Sequence, residues 1–489
     1  MKKPHIIIFN PDSYRGDVLG HMGNPGAVTP NLDSLVQEDA VSFRNAFCQN
    51  PVCTPSRCSF MSGWYPHVRG HRTMFHMMKP DEPVLLKTLK NNGYFVWWGG
   101  KNDLVPSAGG FEDYCHVKYE PKVSVSATSA KPVLDEEWRG RPGEDSFFSF
   151  YIGRLDKGDE PHYPDKDWAY VQGAIDLIKN DPLEQPLCIY LPLSYPHPTY
   201  KVEEPWFSMI DRSRLPERIP MPQDNSLKPS MTRGLFRGLG LGNWDEERWK
   251  ELKATYYGMC ARVDHQFGLL MKALKERGIY DDTAVFMFSD HGDFTGDYSL
   301  VEKSQNTFED CLTRVPLVVK PPGSVRVKAG VSDAMVELVD FPATVAELTG
   351  IEFDYSHFGQ SLLPVIAGDV IEHKDAVFAE GGRLAGEEHC KDITNKNVIP
   401  EDLYFPRGSM HRSDGPEHTK ATMCRTSRYK YVQRLYEQDE LYDLVADPGE
   451  TSNKVLDPDY IAVLSNMKDR MLQFYQETCD VVPMERDNR

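Results

Sequence analysis

The chain has 489 residues, of which 40% are hydrophobic and 26% charged, a balance that excludes disorder, collagen and coiled coil as the main state. Its 55 Lys plus Arg against 73 Asp plus Glu give a formal net charge of −18, so neither nucleic acid nor an anionic membrane is an expected partner, and an anionic substrate must meet a local basic pocket. At roughly 150 residues per domain the length suggests about three units, two of which large α/β enzymes often merge.

The opening MKKPHIIIFNPD holds only four consecutive apolar residues, too few for the core of a secretory signal, and no later stretch approaches the ~20 apolar residues of a membrane helix. The expectation is a cytoplasmic protein. Ten cysteines scattered from Cys48 to Cys479, with no CxxC pair, fit reduced thiols better than a disulfide or zinc framework.

HIIIF at 5–9 is a short β-branched run that ends in a polar loop, the pattern of a buried parallel strand. Similar runs follow at 93–100, 186–195, 283–290 and 315–323, interleaved with helix-like segments such as SLVQEDAV, AIDLIKN and GLLMKALKERG. Strands alternating with helices predict a parallel sheet with helices on both faces, whose ligands bind beyond the carboxyl ends of the strands. The polar residues there, Asp12, Lys101, His197 and Asp290, are the first site candidates.

Two long segments, 103–165 and 199–245, are rich in Pro, Gly, Ser and charge and read as functional loops. A compositional break near 364–375 separates residues 1–370, the expected catalytic α/β unit, from a smaller α+β unit at 371–489 with short strands and a helix at 458–476.

The most specific string is CTPSRCSFMSG at 53–63. Pro55 favours the first turn of a helix, which places Cys53 at a helix N-terminus, an end that attracts anions. Arg57, four residues on, lies one turn away and is positioned to pair with an oxyanion such as sulfate or phosphate.

This string resembles the signature of the type I sulfatases: Cys or Ser, any residue, Pro, Ser, Arg, three residues, Leu or Met, Thr or Ser, then Gly. Every fixed position matches, and the resemblance implies an alkaline phosphatase-like fold. It also implies that a separate maturation enzyme oxidises Cys53 to formylglycine, whose hydrated aldehyde is the nucleophile. In that family the acids after the first strand and the SDHG-like string hold calcium together with formylglycine, which maps onto Asp12, Asp290, His291 and Cys53. Many members carry two successive acids at the first position, whereas Ser13 follows Asp12 here. Carboxylates suit Ca²⁺ and an imidazole also suits Mn²⁺ or Zn²⁺, so the ligand types alone leave the ion open.

The resemblance assigns Lys101 and Lys303 to sulfate binding and His197 to protonation of the leaving alcohol. Two residues after the Lys, many sulfatases have a His; this chain has Asp103, a substitute base or substrate contact, with His71 as another replacement. DELYDLVADPGETSN at 439–453 resembles a string near the end of sulfatases and reads as a docking turn between the two units. The implied reaction is hydrolysis of a sulfate monoester, with a small sulfated mono- or disaccharide as the expected substrate. A phosphonate monoester or phosphodiester hydrolase and an inactive carbohydrate-binding homologue are the rivals. Trp138, Trp168, Trp206 and Trp244 are candidate sugar-stacking residues, with a buried core as their commoner fate.

Overall fold

In the computed structural model, residues 3–121, 140–144, 146–394 and 398–486 are described. The five apolar runs form strands, and three more complete an eight-stranded sheet of order β10-β2-β9-β8-β1-β6-β3-β4. Its strands are β1 (His5–Asn10), β2 (Val41–Phe47), β3 (Phe95–Gly99), β4 (Val117–Tyr119), β6 (Leu187–Pro192), β8 (Thr283–Phe288), β9 (Leu317–Lys320) and β10 (Gly330–Glu337). A separate parallel pair is made by β5 (Tyr151–Leu155) and β7 (Tyr200–Glu203).

The sheet is mostly parallel, as expected, but β9 runs antiparallel to both β2 and β8. The reason lies in the connection. Only 3₁₀ and single-turn helical pieces stand between β8 and β9, and without a crossover helix the chain returns beside β8 in the opposite sense.

Alternation along the strands sorts side chains to two faces. Ile7, Phe9, Ile189, Leu191, Val285 and Met287 pack with α1 (Pro30–Glu38), α3 (Lys166–Asn180) and α5 (Glu246–Arg277). Ile6, Ile8, Tyr190, Phe286 and Phe288 pack on the other face with α2 (Cys53–Ser62) and α6 (Asp340–Thr349). The run SLVQEDAV does not stay helical throughout: α1 ends at Glu38 and Val41 opens β2, which is buried beside β10.

The segment 199–245, expected as loop, contains β7 and α4 (Ser230–Leu239), whose Met231, Leu235 and Leu239 are buried. Of the segment 103–165, residues 122–139 and 145 lie outside the described residues, and Trp138 with them. Trp168, Trp206 and Trp244 belong to the buried core.

A second sheet, antiparallel in the order β11-β12-β13-β14, begins at β11 (Ala376–Gly381) and continues through β12 (Ala421–Thr426), β13 (Tyr429–Arg434) and β14 (Glu440–Asp443). The helix α7 (Phe405–Arg412) sits between β11 and β12, and α8 (Ile461–Thr478) covers the sheet, stacking Phe474 on Phe378 at 3.9 Å between ring centroids. The DPGE turn meets the large sheet's loops: Tyr298 donates to the Gly449 carbonyl at 2.8 Å and the Asp310 N–H to Glu450 at 2.8 Å.

Candidate active site

Four adjacent strands of the large sheet, β8, β1, β6 and β3, end on one edge, and the loops that follow them carry Asp290 and His291, Asp12, His197 and Lys101. Opposite them α2 begins at Cys53. No side chain caps α2, because its N-cap is Val52, so the N–H groups of its first turn remain to face negative charge. Ser56 donates to the Asp290 carbonyl at 2.6 Å and ties the helix start to the end of β8.

Asp12, Cys53, Asp290 and His291 are all buried, and one ligand atom from each lies within 4.8 Å of the others. Cys53 Sγ is 3.2 Å from His291 Nε2 and 3.6 Å from Asp12 Oδ1. The Nδ1 of His291 is 2.8 Å from the Gly292 carbonyl. A carbonyl only accepts, so Nδ1 holds the proton and Nε2 turns a lone pair towards the cluster, as a ligating imidazole requires. Two carboxylates and this nitrogen are a donor set that fits a divalent cation. Ser13 adds no carboxylate; its hydroxyl donates to Asp12 Oδ1 at 3.0 Å and its N–H to Asp290 Oδ1 at 3.2 Å, from a backbone at φ 66°.

Burial alone would raise the Asp12 carboxyl, but Lys101 and then His197, His291 and Arg57 hold it well below the usual range. Lys101 Nζ lies 2.5 Å from Asp12 Oδ2 and 3.0 Å from Asp103. Burial, reinforced by Asp12, pushes the Cys53 thiol far above its ordinary range. Left as cysteine, residue 53 is therefore a protonated thiol and a poor nucleophile.

The expected oxyanion contact of Arg57 is not what the fold provides. Its guanidinium is wholly buried behind the acids, donating to Asp290 Oδ2 at 2.7 Å, Asp12 Oδ2 at 3.1 Å, Asn10 Oδ1 at 2.9 Å and the Tyr190 hydroxyl at 3.2 Å. Helical spacing set its direction correctly, but two carboxylates from strand ends reach it first.

Lys303 Nζ lies 2.7 Å from His197 Nε2 and 2.8 Å from Glu302 Oε1. His197 Nδ1 is 2.6 Å from the Pro198 carbonyl and so carries the proton, leaving Nε2 to accept from Lys303. Burial and then Lys303 push His197 down to about 3, so it is a neutral imidazole near pH 7. Glu302 is the opposite case: burial would raise it, but Arg407, Lys303 and His197 bring it down to about 2.

These groups open into a cavity of about 400 Å³ floored by Cys53, Lys101, His197 and Lys303. Asp103 lines it. His71 does not: its Nε2 pairs with Glu82 at 3.0 Å and its Nδ1 with the His76 carbonyl at 2.8 Å, so it is withdrawn from the cleft. The sequence reading missed Glu302, and it missed the wall formed by Met74, Phe75, Asp392, Asp402, Tyr404 and Arg407. Four of these six belong to the smaller C-terminal unit, residues 371–489, in which the sequence offered no site residue. The signal available in sequence was the largely polar run at 382–404 between β11 and α7, which ends in Tyr404; nothing in it points at β8.

The mostly parallel, helix-flanked sheet with its smaller antiparallel sheet is an alkaline phosphatase-like α/β fold, with the site at its strand ends. A family model described as Sulfatase matches residues 4–351, and the chain belongs to that family of sulfuric ester hydrolases. It is 23% identical to arylsulfatase K of Homo sapiens over 475 residues, covering 92% of this chain and 79% of that one. Among solved structures it is similar to the phosphonate monoester hydrolase of Agrobacterium radiobacter, with TM-score 0.76 and 22% identity over 97% of this chain and 96% of that one. A 2-O GAG sulfatase is similar with TM-score 0.68 and 21% identity over 98% and 93%.

Proposed function

We propose that the protein hydrolyses the sulfate monoester of a small hydroxylated molecule, a sulfated mono- or disaccharide, to the alcohol and inorganic sulfate. The observation that carries this reading is the placement of Cys53: buried, protonated, at an uncapped helix start, and on the floor of a cavity beside two lysines. Converted to formylglycine by a maturation enzyme that reads CTPSR, residue 53 supplies the hydrated aldehyde as nucleophile. Asp12, Asp290 and His291, with residue 53, hold a divalent cation, for which family resemblance favours Ca²⁺, and such a cation supplies Lewis-acid polarisation of the sulfate oxygens.

The chain's own groups do the rest. Lys101 and Lys303 face the anion from two sides, while Arg57 holds the Asp12 and Asp290 carboxylates in place from behind through its hydrogen bonds. The proton for the leaving oxygen comes from the Lys303–His197 pair, since His197 alone is neutral and reloads through Lys303. Asp103, Asp392 and Asp402 offer acceptors to sugar hydroxyls, and a cavity of about 400 Å³ is of a size for a small sugar. The 2-O GAG sulfatase among the similar structures supports a sulfated sugar. Residues 1–370 are read as the catalytic unit and 371–489 as a smaller unit that completes its cavity. Ten free cysteines, nine of them buried, support a cytoplasmic setting; among the described residues no helix is long and apolar enough to cross a membrane.

A second reading, phosphonate monoester or phosphodiester hydrolysis, is favoured by the single acid at Asp12 and by the likeness to a phosphonate monoester hydrolase. The test is mass analysis of the Cys53 peptide from protein made beside its native maturation enzyme, paired with turnover of sulfated sugars, phosphonate monoesters and phosphodiesters. Formylglycine with sulfate release supports the first reading. Formylglycine with turnover of only the phosphorus esters replaces it by the second, and unmodified Cys53 without turnover leaves an inactive carbohydrate-binding homologue.

A further inference from the structure

Away from the cleft floor, His76, His389 and Cys390 converge so that one ligand atom from each lies within 4.8 Å of the other two. They arrive from segments more than three hundred residues apart. His76 follows Met74 and Phe75, which line the cleft, and His389 and Cys390 form a single 3₁₀ turn just before Asp392 and Thr394, which line it from the other side. The two segments are already held in register: Arg72 pairs with Glu387 at 3.0 Å and the Met74 N–H donates to Asp392 Oδ1 at 2.9 Å. The imidazoles of His76 and His389 stand edge to face, with centroids 5.9 Å apart. His76 Nδ1 is 2.6 Å from Thr73 Oγ1, so a hydroxyl can accept the Nδ1 proton while Nε2 ligates, the arrangement that orients metal-bound histidines.

We propose that His76, His389 and Cys390 form a second metal site, selective for Zn²⁺, that clamps the two segments carrying Met74, Phe75, Asp392 and Thr394 and so fixes one wall of the cleft. Two imidazoles and a thiolate are a borderline-to-soft donor set, unlike the carboxylate-rich cluster at Asp12 and Asp290, and three protein ligands leave the fourth tetrahedral position to water. Binding replaces the Cys390 S–H bond by a Zn–S bond and releases that proton to solvent.

The test uses full-length Cys53→Ser protein, which has no thiol at residue 53, with Ca²⁺ present in excess, titrated with Co²⁺ as the probe. One equivalent of Co²⁺ gives thiolate-to-cobalt charge-transfer absorption, and Zn²⁺ bleaches it. Adding Cys390→Ser abolishes the band, and adding His389→Ala, at an exposed position, weakens affinity by at least about tenfold. Circular dichroism of each variant without Co²⁺ checks that the fold is kept. Absence of the band with Cys390 intact, or its survival in Cys390→Ser, overturns the proposal. Because the readout is absorption and not turnover, it stands or falls apart from the sulfate-ester reading.

Discussion

Replacing Arg57 by Met separates two accounts of this residue. In the structure the guanidinium makes two charge-assisted bonds to fully buried carboxylates, at 2.7 and 3.1 Å, and two more to Asn10 and Tyr190. Charge-assisted bonds contribute about 1.5–3 kcal/mol each, and breaking a buried pair by removing one partner costs about 3–5 kcal/mol. Arg57→Met leaves Asp12 with Lys101 and Asp290 with no cationic side chain in contact, so a loss of about 3–5 kcal/mol is expected in metal-free protein. A bound cation neutralises the same oxygens and is held more tightly once the competing guanidinium is gone, so at saturation the gap narrows by about 1.4 kcal/mol for each tenfold by which the variant's Kd falls below that of wild type. The assay is urea unfolding of wild type and Arg57→Met, each with chelator and with saturating Ca²⁺. The expected result is a large drop in the midpoint with chelator and a smaller one with Ca²⁺. A midpoint within about 0.5 kcal/mol of wild type, accompanied only by a raised KM, would refute the reasoning and return Arg57 to direct contact with the substrate anion.

Lys303→Met lowers kcat on a sugar sulfate by about 10²–10⁴-fold and on an aryl sulfate with a good leaving group by much less, because only the sugar alkoxide needs the proton; equal losses on both contradict the assigned role. Chelation abolishes turnover and lowers the unfolding midpoint, and Ca²⁺ restores both, since Asp12 and Asp290 share the buried cluster; turnover unaffected by exhaustive chelation removes the cation from the site. His197 stays neutral in the fold down to about 3 against an ordinary 6.5. The unfolded chain therefore binds a proton below 6.5 that the folded chain refuses, and stability falls as pH drops from 6.5 towards 3. His197→Gln should flatten that limb of a midpoint-against-pH plot, and an unchanged slope counts against a buried neutral imidazole.

Much of the floor of the site was legible in sequence because it is built from local patterns. HIIIFNPD, WWGGK, LPLSYPH and FSDHG each couple an apolar run to a polar end, and in a parallel sheet that geometry delivers Asp12, Lys101, His197 and Asp290 to one edge. CTPSR likewise specifies its own helix start. Other features needed partners that no local pattern reveals. His71 reads as a free imidazole until Glu82 is beside it, and Glu302 has no visible role until Arg407, 105 residues on, reaches it.

What the sequence determined by itself, then, is the set of strand-end residues and the place of Cys53 at a helix start, since backbone periodicity and side-chain chemistry within a few residues suffice for them. Only the tertiary structure decided that Arg57 pairs with the two acids, that β9 reverses, and that the segment between β11 and α7 walls the cleft. Those outcomes depend on which distant surfaces pack together, and a charge deep in the fold takes whichever opposite charge packing brings nearest, because leaving it unpaired there costs more than any single surface contact returns.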